Sequence, residues 1–205
     1  MAVTQIGNLV MVGSIPTLGS IFSMNIFVIS DQPDECAMAL DDRRLNKMVL
    51  ETCQLLSTAM HLCGGKGPYK ITHRNHPCSI WARQTKGNYR WLLQHFYYLT
   101  TEYYFRKGIQ HACHEHFLTL RSGLNLIPDG PQTPFANCSR DKQGEIHSSY
   151  RRTMQEKWYE DYETTDKGHP RWTIRAAPIW YVGPKHEGNL DDVPMAPQDD
   201  SDRKS

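Results

Sequence analysis

The sequence predicts a mainly α protein: a compact single-domain helical bundle with a short N-terminal extended segment and an irregular C-terminal region. Three observations lead there. Apolar residues recur at three- and four-residue spacing in several separate stretches, each flanked by capping or breaking residues. One short run, Met24-Asn25-Ile26-Phe27-Val28-Ile29, reads instead as a buried strand or extended segment. No internal repeat is visible, and 205 residues with 39% hydrophobic content suit one core.

Residues 1–23 mix Gly, Ser, Thr, Pro and weak apolar residues without a period. They are expected to be disordered or a non-native extension, with Met24 as the natural start. Asp31-Gln32-Pro33 forms a turn, followed by a short stretch carrying Cys36, Ala37 and Leu40. The first strongly periodic segment runs from Asp41 to Leu62. Leu45, Met48, Val49, Thr52, Leu55, Leu56, Ala59 and Met60 make one stripe, Asp41 or Asp42 caps it, and Gly64-Gly65 ends it. Arg44, Lys47 and Glu51 share a different face, with Arg43 and Gln54 beside them. Such a face is either solvated or meets an anion, since cations at a helix start oppose its dipole.

Thr72-His73-Arg74-Asn75-His76-Pro77 packs two imidazoles, a guanidinium and a carboxamide into the approach to a second helix. Pro77 suits the first helical turn, which puts Asn75 or His76 at the cap. That helix could reach Lys107 before Gly108, with a bend or a break near Gly87-Asn88. Ile80, Trp81, Trp91, Leu92, Phe96, Leu99 and Tyr103 are expected in the core. Tyr89, Tyr97, Tyr98 and Tyr104 are too many to bury on one face. His111 to His116 contains three histidines at unsuitable spacing and no HExxH, so no metal is expected there. Leu118 to Leu126 is short and apolar, and Ile127 to Pro131 is a rigid turn. A last helix starts at a Ser148 or Ser149 cap, carries Tyr150, Met154, Trp158 and Tyr162 at four-residue spacing, and ends before Gly168-His169-Pro170. Arg171 to Arg175 and Pro178 to Tyr181 interleave basic and aromatic residues. The domain is expected over 24–182, with a disordered tail over 183–205.

The formal charge is +1, but the tail holds three basic against six acidic residues, which leaves 1–182 at +4 before nine of the ten histidines are counted. That is compatible with a nucleic-acid partner. No apolar run could span a bilayer. Six scattered cysteines without a CxxC pair or a secretory signal suggest reduced thiols in the cytoplasm.

The pattern Asp41-Asp42-Arg43-Arg44-Leu45-x-Lys47, then Arg74-Asn75-His76-Pro77, then an aromatic helix ending in Arg106-Lys107-Gly108, resembles the pyrimidine-dimer DNA glycosylase family, like phage endonuclease V. The similarity covers Met24 to Gly108, and it is nearest to phage and bacterial relatives of unassigned activity. The resemblance implies a helical domain that binds duplex DNA, flips a nucleotide and attacks its sugar through a free N-terminal amine beside a carboxylate. Two departures stand out. Asn25 after Met24 disfavours Met removal, and Arg43-Arg44 occupies the place of the family's Arg-Glu pair.

The resulting expectation is an enzyme acting on a pyrimidine base or its glycosidic bond. Asp42, Glu51, His73 and His76 are the catalytic candidates. Arg43, Arg44, Lys47, Arg74, Asn75, Arg171 and Arg175 are the nucleic-acid-binding candidates. No metal and no cofactor are expected. Alternatives are a phage DNA-base hypermodification enzyme on the same fold and a non-catalytic nucleic-acid-binding protein. In both, the same cations would hold phosphates.

Overall fold

Six α-helices account for the ordered backbone of the computed structural model, which describes residues 25–164 and 168–183. The expected extension before Met24, the Met24 start and the tail from 184 onward lie outside the described residues. In order, the elements are α1 (Pro33–Ala39), α2 (Asp42–Leu62), α3 (Pro77–Gln84), α4 (Lys86–Lys107), α5 (Phe117–Ser122) and α6 (Ile146–Glu163), with 3₁₀ turns at Ala112–His116 and Gly123–Asn125. α4 is the central element and packs against α1, α2 and α3.

Among the described residues there is no strand. The run from Asn25 to Val28 is buried, but Phe27 at φ +43 breaks any extended course, and several of its backbone groups are satisfied by side chains rather than by a neighbouring strand. The Asn25 carboxamide oxygen accepts from the amides of Ile26 and Phe27 at 2.8 and 3.1 Å, and His147 Nδ1 meets the Val28 carbonyl at 3.1 Å. Arg151 donates to the Ile29 carbonyl. This buried thread joins α6 to the rest of the bundle.

The α2 limits follow the periodic pattern. The Asp41 side chain caps it by accepting from the amides of Arg43 and Arg44, both at 3.1 Å. Gly64, at φ +89, turns the chain away after the helix. The long segment from Pro77 divides in two at Thr85, whose extended backbone ends α3 and caps α4 through its hydroxyl, 3.2 Å from the Asn88 amide. The loop of residues 128–133 lies across that junction. A Cβ on Gly87 would stand 2.1 Å from the Gln132 nitrogen, so only glycine fits there. Asn88 bridges the halves, donating to the Trp81 carbonyl at 2.8 Å and accepting from the Thr133 amide at 2.8 Å. At the far end Gly108 adopts φ +69 and closes α4 onto the Tyr104 carbonyl.

Two expectations, on Ile80 and on the start of the last helix, are corrected, and a third, that the four tyrosines are too many to bury on one face, holds. Ile80 is 46% exposed, because α3 turns Cys78, Ser79, Trp81 and Ala82 inward and leaves Ile80 on the opposite face. Of the four tyrosines, Tyr89 is fully buried with its hydroxyl on the Leu120 carbonyl, while Tyr97, Tyr98 and Tyr104 are exposed. The last helix starts at Ile146, not beyond Ser148. The Glu145 carboxylate accepts from both the His147 and Ser148 amides, and a two-oxygen acceptor satisfies two first-turn donors where a serine satisfies one.

Candidate functional site

The N-terminus of α2 is a closed charge network. Arg44 is buried, with its guanidinium 2.7 Å from Asp41 and 2.8 Å from Asp161 of α6, and Arg43 reaches the same Asp161 carboxylate at 3.0 Å. Trp158 donates its indole N–H to Asp41 at 2.7 Å. One helical residue on, Asp42 accepts from the Thr173 hydroxyl at 2.6 Å and meets Arg106 at 3.2 Å and Lys107 at 3.4 Å. Burial pushes the Asp42 carboxyl up, but the Thr173 bonds, Arg106 and Lys107 outweigh it and hold the pKa below the usual range. Arg106 is the hub. Its side chain is fully buried, bonded to Glu102 at 2.7 Å and to the carbonyls of Leu40 and Met38 at the end of α1. Glu102 also receives Arg175 in a two-point pair at 2.8 and 2.7 Å. Burial again raises this carboxyl, and the two guanidiniums lower it by more. A cleft of about 400 Å³ opens beside the network, lined by Asp42, Arg43, Lys107, His169, Arg171 and Thr173 among others.

A polar stripe runs from this network along α2. Lys47, Glu51, Gln54 and Thr58 fall at i, i+4, i+7 and i+11, which is one helical face. Lys47 is exposed and pairs with half-buried Glu51 at 3.1 Å. Lys157 of α6 faces the same region. Its pKa is lowered by burial and by the nearby charges of Arg140, Arg44 and Lys47. A half-buried amine among cations, with its proton loosened, has the electronic character of a lysine nucleophile.

The stripe ends at the histidine loop. Thr58 and Thr72 exchange hydrogen bonds of 3.1 and 3.2 Å, which fixes the start of the loop sixteen residues along α2 from Asp42, about 24 Å at 1.5 Å per residue. His73 has φ +47, a conformation that a non-glycine side chain rarely adopts, and its Nδ1 lies 2.6 Å from the Thr72 hydroxyl. His76 is the α3 cap. Its Nδ1 accepts from the Cys78 amide at 3.2 Å, so in the neutral ring the proton sits on Nε2. Burial, and then the neighbouring His73, lower its pKa. Arg83 ties the loop down by donating to the Arg74 carbonyl at 3.0 Å. Beneath His76 the thiols of Cys78 and Cys138 stand 3.3 Å apart.

The sequence-derived candidates are therefore not one constellation. Asp42, Arg44 and Arg175 sit inside the closed network, where their charges are already opposed. Arg44 is too buried to offer its guanidinium to a phosphate. Arg43, Lys47, Arg74 and Arg171 are exposed, and Asn75 is exposed but is not the cap. Glu51 lies between the two ends, while His73 and His76 form the far end. Sequence reasoning passed over Asp161 and Lys157, which come from α6, more than a hundred residues away in the chain. Only the four-residue stripe of that helix hinted that its other face would look toward α2.

These features define a mainly helical protein with a carboxylate and an amine along a stripe that exposed cations flank. Residues 24–116 match the family model described as pyrimidine dimer DNA glycosylase. The match runs from the buried thread through the first 3₁₀ turn, so it contains Glu51 and the histidine loop and stops short of α6. No curated protein and no solved structure matches the chain. DNA is the substrate that a glycosylase family implies.

Proposed function

We propose that the protein is a DNA glycosylase-type enzyme acting at the glycosidic bond of a damaged or modified pyrimidine in duplex DNA. The observation that carries this reading is half-buried Glu51, midway along a stripe with exposed cations at both ends, inside the matched stretch. Along α2 the rise to Thr58, where the loop carrying Arg74 begins, is about 22 Å from Arg43 and about 16 Å from Lys47, some five to seven base-pair steps at 3.4 Å along one strand. Phosphates held at both ends leave the middle of the stripe facing the nucleotide between them, the place for a flipped base.

There Glu51 stabilises the positive charge that develops on the sugar as the base departs. Lys157 of α6 supplies the amine: its lone pair attacks C1′ as the glycosidic electrons leave with the base, the amine proton goes to solvent, and opening of the C1′–O4′ bond with protonation of O4′ leaves an imine that borohydride can reduce. His73, near the Thr58 end and about 10 Å further along the helix, is placed to exchange a proton with the base edge.

The test is a duplex with a single cyclobutane pyrimidine dimer, followed for glycosidic-bond cleavage and strand scission. Wild-type protein is expected to act on it, and Glu51→Gln to lower the rate by roughly a hundredfold or more with DNA affinity kept. Borohydride should trap a covalent adduct that Lys157→Ala cannot form. A wild-type protein that leaves both dimer-containing and undamaged duplex intact would remove this reading.

A further inference from the structure

The thiol pair under the histidine loop takes no part in the chemistry above. Cys78 is buried, whereas Cys138 and His76 are half-buried, and a ring nitrogen of His76 and the two sulfurs lie within 4.8 Å of one another. We propose that His76, Cys78 and Cys138 form a binding site for a soft divalent metal, zinc above all, with two thiolates, one imidazole and a fourth position open to solvent.

Donor chemistry supports the choice. Two sulfurs and an imidazole suit zinc, whose tetrahedral sites use this set, and a three-ligand protein set with an open fourth position is the pattern of reactive rather than purely structural sites. The three side chains are held from outside. His76 is oriented by its bond to the Cys78 amide, and Cys78 sits in the first turn of α3, whose dipole favours a thiolate. The Cys138 backbone is clamped at both ends: its carbonyl accepts from Asn25 at 3.2 Å, and its amide donates to the Tyr150 hydroxyl at 2.9 Å. That hydroxyl in turn donates to the Ala136 carbonyl. Outer partners of this kind fix ligand geometry in metal sites.

The charges balance as well. Each thiol releases one proton to solvent on binding, so one dication and two thiolates make a neutral site in half-buried surroundings. No spacing rule points to this set, because Cys138 lies sixty residues from Cys78 and His76-Pro77-Cys78 is not a zinc spacing. This inference does not depend on the proposed reaction.

The test uses the full chain, purified under reducing conditions and titrated with Co²⁺, with zinc content read by native mass spectrometry. The expected result is one metal per chain, with the sulfur-to-cobalt charge-transfer absorption of two thiolates, displaced by zinc. His76→Ala/Cys138→Ser should lose the metal while its far-ultraviolet circular dichroism stays unchanged, and Cys63→Ser should keep one. The proposal is overturned if wild-type protein shows no thiolate-to-cobalt band. It is equally overturned if the double variant binds as much metal as wild type, or if Cys78 and Cys138 form a disulfide under these conditions and exclude metal.

Discussion

The two ends of α2 hold similar densities of polar side chains and treat them in opposite ways. At the N-terminal end Asp41, Asp42, Arg44, Glu102, Arg106, Asp161 and Arg175 pair with one another and leave little charge for anything else. At the far end the histidine loop is exposed, keeps His73 at φ +47, and meets the rest of the fold mainly through Thr72, Arg83 and the His76 cap. The contrast shows that charge density in a sequence does not locate a site. What matters is whether a distant segment arrives to neutralise it.

The comparison breaks most visibly at Arg106. Replacing it with Met leaves buried Glu102 with Arg175 alone and strands the carbonyls of Met38 and Leu40, so urea unfolding should show a loss of about 3–5 kcal/mol. A loss under 1 kcal/mol would mean that the closed end contributes no more than a surface pair. Acid provides a second probe. Asp42 and Glu102 have lowered pKa values, so their contribution is fully present above the unfolded carboxylate values and is lost only as pH falls through the lower folded values.

His95 behaves differently. It is buried, stacked on Trp91 at 5.2 Å and bonded to the Pro33 carbonyl, and burial lowers its pKa to about 4. The unfolded chain binds that proton near pH 6.5 and the folded one does not. Stability should therefore decline between about pH 6.5 and pH 4, by roughly 3 kcal/mol in all. His95→Gln should flatten this slope in melts across the range, with the carboxylate network still intact; an unflattened slope would place the acid sensitivity elsewhere.

Smaller effects sharpen the open end. His73→Ala should leave stability within about 0.5 kcal/mol and lower turnover on the dimer duplex by roughly a hundredfold. Parallel loss of stability and turnover would make His73 structural. Charge reversal at Arg43 should reduce the log–log salt slope of DNA binding by about 0.9, whereas Arg44→Met should leave the slope unchanged, because its guanidinium is spent on Asp41 and Asp161. Equal slopes for both variants would erase the distinction between buried and exposed arginine. The smallest effect belongs to Asn75→Ala, expected within about 0.5 kcal/mol in urea, since His76 holds the cap that Asn75 was a candidate for.

Much of the helical framework was legible. Asp41 before a three-and-four stripe, Pro77 after a polar loop and Gly108 after Arg106-Lys107 are local signals, and local hydrogen bonding obeys them. The start of α6 was not, because the competition between Glu145 and the serines is decided by how many first-turn amides each acceptor satisfies. Glu51 and His73 were legible as residue types but not as parts of one stripe, since the spacing of Thr58 to Thr72 depends on how the loop folds back. Arg44 was misread for a different reason. Its partner Asp161 is 117 residues away, and no spacing rule reaches that far.

The C-terminal segment has a consequence for modularity. Trp172 donates to the Ala39 carbonyl, Trp180 stacks on Trp158 at 5.2 Å, and Thr173 and Arg175 engage Asp42 and Glu102. Trp158, Trp172, Thr173, Arg175 and Trp180, with Asp161, lie beyond the stretch that matches the family model. A fragment cut at 116 would carry the recognisable signature yet take Asp161 from Arg44, Thr173 from Asp42 and Arg175 from Glu102, leaving each half-partnered in a buried setting. The recognisable stretch is thus not autonomous: it relies on a companion segment that returns charges and indole donors to its buried polar groups.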